Sequence, residues 1–134
     1  MKLRIHGDSI RLRLNRREVA EFAAAGRLEQ VCHYGPGADD RLVYALGASE
    51  SVKNPTIRFT GQAVSVILPR TLALSWTSTD KVQVSAAIPL AAGSCFTILV
   101  EKEFRRLHGA NNDPDLYPNP LESELRQETR VCTP

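Results

Sequence analysis

Residues 3–14 read LRIHGDSIRLRL, and residues 57–68 read IRFTGQAVSVIL. This near-repetition limits what the chain can fold into more than any other feature. At the offset that carries Arg4 onto Arg58, without gaps, Gly7 falls on Gly61, Leu14 on Leu68 and Arg16 on Arg70. The conservative matches follow the structural period. Leu3 meets Ile57, Ile5 meets Phe59, Ile10 meets Val64 and Leu12 meets Val66. Phe22 meets Trp76, Leu42 meets Phe96 and Leu46 meets Val100, and the same offset sets Arg27 against Lys81 and Leu28 against Val82. A pattern held across four strands and one helix reads as an internal duplication.

Each copy predicts the same elements. Residues 2–6 alternate with period two, so they form a strand. Gly7 breaks it at a turn that a β-carbon would hinder. Residues 9–14 alternate again, with Ile10, Leu12 and Leu14 on one face and Arg11 and Arg13 on the other. Asn15 is placed to cap a helix, and Glu18 stands where a capping box wants an acid. Val19, Phe22 and Ala23 form the buried stripe, and Gly26 ends the helix. Residues 28–34 then read as a strand, 35–40 as a loop and 41–46 as the returning strand. In the second copy Pro69 opens the helix, Leu72 and Trp76 take its buried side, and residues 81–88 and 95–101 are the last strands. The fold class is therefore α+β, built from two ββαββ units.

A unit of about 50 residues is marginal for burying its own core. Pairing two of them in one chain removes that difficulty. The expected organisation is one domain over residues 1–108, made of repeats at 2–53 and 56–107. An acidic, proline-containing C-terminal arm follows at 109–134.

Composition adds bounds rather than a function. Hydrophobic content of 43% supplies a core, and a net charge of +2 decides nothing about partners. Its distribution says more: residues 1–17 are strongly basic, and residues 109–134 are acidic. The opening MKLRIHGD has no apolar leader core, and no run approaches spanning length, so no membrane association is expected. Cys32, Cys95 and Cys132 are odd in number and widely spaced, which fits reduced thiols in a cytoplasmic protein. Cys32 and Cys95 are expected to pack as small apolar groups.

The unit resembles the swapped-hairpin barrel of the AbrB/MazE superfamily. The residues that carry the resemblance are IHGDSIRLRLNRREV with RLVYAL in the first copy. In the second they are GQAVSVILPRTLA, TDKVQVS and FTILVE. The resemblance covers residues 2–103 and implies one pseudo-symmetric β-barrel with two short helices, built from one chain where family members usually use two. The whole chain also resembles a small uncharacterised bacterial family through its LRI-x-G-x-SIRLRL opening, ILVEK-[DE]-F stretch and YPNP box. Two departures stand out. The step often written GNS is Gly7-Asp8-Ser9 here, and the second copy has Gly61-Gln62-Ala63.

Two function readings follow, from different classes. The resemblance implies a regulator that sets Arg4, Arg11, Arg13 and Arg16 against duplex DNA, and guanidinium forks suit phosphate and guanine. Their second-copy counterparts on the strands are Arg58, Ser65 and Ile67, so the basic face is half erased. The alternative is a protein-interaction module, antitoxin-like, gripping a partner through Leu116, Tyr117, Leu121 and Leu125 in the arm. Against both stands a solvated sheet face and an arm folded back on its own domain, with Tyr117 and Leu121 closing the open end. The expected state is monomer or homodimer.

No catalysis, metal or cofactor is expected. Phosphate-loop, dinucleotide and nucleophile-elbow signatures are missing from the sequence. Cys32 and His33 are adjacent, so on a strand they face opposite sides. Asn111-Asn112-Asp113-Pro114-Asp115 lacks the glycine and distal glutamate of a calcium loop, and His6, His33 and His108 read as surface or packing residues. Glu101 and Glu103 share one strand face about 7 Å apart, an exposed strand end rather than an acid–base pair.

Overall fold

The computed structural model describes residues 1–105 and 113–121. Leu125, His108, Cys132, Asn111, Asn112 and the acids Glu122, Glu124 and Glu128 lie outside the described residues.

The chain runs β1 (Lys2–Ile5), β2 (Ser9–Leu14), α1 (Arg16–Ala25), β3 (Arg27–His33) and β4 (Arg41–Ser49). It continues through β5 (Thr56–Thr60), β6 (Ala63–Pro69), α2 (Arg70–Ser78), β7 (Gln83–Pro89), a 3-10 turn (Ala91–Gly93) and β8 (Cys95–Lys102). The protein is thus α+β, with two short helices. Element starts repeat at the sequence offset: Lys2 and Thr56, Ser9 and Ala63, Arg16 and Arg70, Arg41 and Cys95. Gly7 and Gly61 sit at equivalent hairpin turns with φ of 53° and 58°, a left-handed conformation that costs glycine little.

The strands form two four-stranded sheets, ordered β1-β2-β8-β7 and β3-β4-β6-β5. Each sheet takes one hairpin from each repeat. β2 lies parallel to β8 with Leu12 beside Val100, and β4 lies parallel to β6 with Leu46 beside Val66. The central registers are pseudo-symmetric: Ser9 faces Thr97 in one sheet, and Val43 faces Ala63 in the other.

The sheets do not close into a barrel, and among the described residues no ladder joins them. Closure needs edge strands that can pair, and these edges are short or carry charge. β1 has 4 residues and β5 has 5. Lys2, Arg4 and Arg58 lie on them, β7 ends in Pro89, and the β3 edge carries Arg27, Glu29 and His33. Such features block edge pairing.

One core lies between the inner faces, and both repeats contribute to it. Leu12, Leu14, Leu46, Leu68, Ile98 and Val100 are almost wholly buried. Phe22 and Trp76, equivalent in the repeat, meet each other with ring centroids 6.3 Å apart. Their contact places the two helices side by side. The Trp76 indole N–H donates to the Val82 carbonyl at 3.1 Å.

Helix α1 starts as its sequence dictates. The Glu18 N–H donates to Asn15 Oδ1 at 2.9 Å, and the Asn15 N–H returns to Glu18 Oε1 at 3.0 Å. At the other end Gly26 donates to the Phe22 carbonyl at 2.8 Å. Replacing Asn15 with alanine is expected to cost about 1 kcal/mol, read as a lower urea midpoint with an unchanged slope.

Two further expectations need correction. The gapless match of Leu28 to Val82 is off by two residues, since Leu28 faces Leu46 while Val84 faces Val100. Four residues separate α2 from β7 where only Gly26 separates α1 from β3, and the β7–β8 loop is shorter than the β3–β4 loop. The strand slips by a whole period, so its buried face is kept: Val84 is in the core and Val82 is 39% exposed. Cys32 and Cys95 are also exposed rather than packed. Cys32 is near the end of edge strand β3, and Cys95 opens β8 beside Pro89.

Candidate functional site

Period-two alternation puts Lys2 and Arg4 of β1, and Arg11 and Arg13 of β2, on the outer face of the first sheet. The hairpin register sets Lys2 against Arg13 and Arg4 against Arg11. Four cations therefore share one patch and line a shallow hollow of about 190 Å³ with Leu3.

The neighbouring strand β8 supplies carboxylates. Parallel pairing sets Arg13 beside Glu101. The Glu101 Oε1 atom accepts from Arg13 Nε at 2.8 Å and lies 3.7 Å from Arg11 Nε. Glu103 pairs with Lys2. Arg4 has no carboxylate partner among the described residues. The patch thus keeps an excess of two positive charges, with Arg11 and Arg13 side chains 37% and 40% exposed. In the second sheet the matching positions hold Arg58, Ser65 and Ile67, and Gly47 stands where Glu101 does.

Arg16 does not join this patch. It opens α1, and its N–H donates to the Asp115 carbonyl at 2.7 Å. Its guanidinium sits 5.3 Å from the Tyr117 ring centroid.

Residues 113–121 lie across the domain as a strap. Tyr117 bridges Phe104: its N–H donates to Glu103 at 2.9 Å, and its carbonyl accepts from Arg105 at 2.7 Å. Asn119 Nδ2 donates to the Arg105 carbonyl at 3.1 Å. Leu116 is buried, Tyr117 is half-buried and Leu121 is 49% exposed. The strap folds back through Leu116 and Tyr117, with Leu121 left outside.

Beneath the strap lies Lys102, a residue that charge-based reading passes over. It shares the inner phase of β8 with Ile98 and Val100, and only 6% of it is exposed. Its Nζ donates to the Thr79 carbonyl at the end of α2 at 2.7 Å. The same ammonium lies 5.9 Å from the Trp76 ring and 5.5 Å from the Tyr117 ring. Burial pushes its pKa below the ordinary lysine value, against the charge of Asp80, which raises it. Burial raises the Tyr117 phenol above its ordinary value, and Arg16 works in the opposite direction. A charged residue in an apolar phase was the signal that could have found Lys102.

Among the described residues, no three His, Cys, Asp or Glu side chains converge as a metal site would require. No helix among them is long and apolar enough to cross a membrane.

The fold and site define a small α+β protein of two hairpin-sharing sheets, with one basic face and one strapped cleft. The chain belongs to DUF7009, a family of unknown function whose model matches residues 1–121. No curated protein and no solved structure matches it.

Proposed function

We propose that the protein is a non-catalytic, regulator-like binding protein that takes up duplex DNA through its phosphate backbone on the outer face of the first sheet. One observation carries this reading: Lys2, Arg4, Arg11 and Arg13 form a contiguous outward-facing patch, opposed among the described residues only by Glu101 and Glu103. The resemblance of the repeat to AbrB-like units supports it. The contacts are backbone contacts, so they position the duplex and carry no sequence code. Arg16, held against Tyr117, takes no part in this patch. A partner protein using Leu116 and Tyr117 would first have to lift the strap, which makes the interaction-module reading second.

Fluorescence anisotropy with a mixed-sequence duplex tests the proposal. Release of about two to four counterions predicts an affinity about ten- to a hundredfold weaker at 200 mM salt than at 50 mM. Arg4→Ala should lower the salt slope by about one. Glu101→Gln is the discriminating variant. It removes the carboxylate that competes for Arg11 and Arg13, so it should tighten binding and steepen the slope. No binding at 50 mM salt, or binding indifferent to both variants, would end the reading.

A further inference from the structure

The duplication creates the same cleft twice. One copy lies between the end of α1 and the start of α2, with a volume of about 320 Å³. Its walls are AAAG (23–26), Ala48 and Arg70. The other lies between the end of α2 and the start of α1, with a volume of about 560 Å³. There TSTD (77–80) replaces AAAG, Lys102 replaces Ala48, and Arg16 stands where Arg70 does. These replacements keep the repeat offset, so the two clefts are related by the duplication, but past the helix ends the two-residue slip sets Val82 rather than Asp80 at the place of Gly26.

The two clefts can be compared strictly at one strand position, where Ala48 N–H donates to Gly26 and Lys102 N–H donates to Val82. Around it they differ: Gly26 closes α1 in a left-handed turn, whereas α2 ends in extended Thr79, whose carbonyl accepts from the Lys102 ammonium. Burying an ammonium where the other copy holds alanine is costly unless the charge is used. Lys102 is nonetheless buried, and the strap closes its cleft with Tyr117, Pro118 and Pro120. Arg16 is exposed at the same cleft and, among the described residues, has no carboxylate partner. Its guanidinium offers unused donors in a fork that fits an oxyanion. The cavity falls in the size range of small-molecule sites.

We infer that the strapped cleft binds a small organic anion, its carboxylate or phosphate head held by Arg16 and Lys102 and its apolar body lying against Phe104 and the strap prolines. Asp80 lines the same cleft and repels the head from the α2 end, which sets the head toward Arg16. The site is separate from the sheet face proposed for DNA and stands or falls without it.

Benzoate and phenylphosphate serve as probes of the full chain, with sodium chloride matching ionic strength throughout. Amide shift mapping by NMR reports the location of binding. Trp76, the only tryptophan, gives a second readout, because its ring lies 5.9 Å from the Lys102 ammonium. The expected result is a saturable millimolar response at Thr79, Asp80 and Lys102, with Ala25, Gly26 and Ala48 still. Whichever probe binds more tightly identifies the head group. Arg16→Gln and Lys102→Met should each weaken binding about tenfold or more, and Arg70→Gln should leave it unchanged. Arg16 is exposed at a helix start, so Arg16→Gln remains informative if Lys102→Met fails to fold. No saturable shift with either probe up to about 50 mM would overturn the inference, since such weakness lies outside any specific affinity. Equal losses from Arg16→Gln and Arg70→Gln would overturn it too.

Discussion

Cut between the repeats at Asn54, the first half alone is expected to lose its fold entirely. Residues 1–53 carry β1 to β4 and α1, but the parallel partners of β2 and β4 are β8 and β6, which lie in the second half. The fragment would keep two separate hairpins, and isolated hairpins are marginal in water. It would also lose Trp76, Leu68, Ile98 and Val100 from the core it shares. The loss amounts to the whole stability of a small domain, about 5–15 kcal/mol. As a monomer, 1–53 should show no cooperative melt by circular dichroism. Mixing it with residues 54–134 should restore one. A cooperatively folded monomer of 1–53 would contradict the shared-sheet architecture.

Trp76→Ala is expected to be the most damaging point substitution, at about 3–5 kcal/mol. The side chain is wholly buried, packs on Phe22 and lies beneath the Lys102 ammonium. Truncation opens a cavity between the helices and removes a ring face from a buried charge. Trp76→Phe keeps most of the apolar volume, and Val82 retains the Lys102 N–H as a donor to its carbonyl. It should cost markedly less, about 1–3 kcal/mol. Urea unfolding followed by circular dichroism separates the two variants. Equal costs would mean that the indole's size does not hold the helices together.

The strands and helices were legible because each obeys its own period. Ile10, Leu12 and Leu14 alternate into the core, and Asn15 with Glu18 marks the helix start through a local hydrogen-bond pair. Which strand each hairpin pairs with is not in such patterns, since β4 presents Leu42, Tyr44 and Leu46 in the same way to any partner. Closure of a barrel is implied by the resemblance alone, and the charged, short edges overrule it. The slip of β7 was hidden because a shift of two residues leaves the alternation intact. The arginine patch was legible in part. Its phase on β1 and β2 is local, but Glu101 and Glu103 reach it only because β8 pairs with β2. The resemblance groups Arg16 with the strand arginines, but its position at a helix start sends it to Tyr117. The strapped cleft was the least legible feature, because it is assembled from α1, α2, β8 and the strap.

The central claim is that each sheet joins a hairpin from one repeat to a hairpin from the other. Both candidate surfaces depend on it, since β8 brings Glu101 to the arginines and Lys102 to the cleft. Backbone nuclear Overhauser contacts test it most directly. Contacts between Leu12 and Val100, and between Leu46 and Val66, are the result predicted by the parallel registers. Contacts from Leu12 to Leu46 across a strand pair within the first repeat would contradict the account.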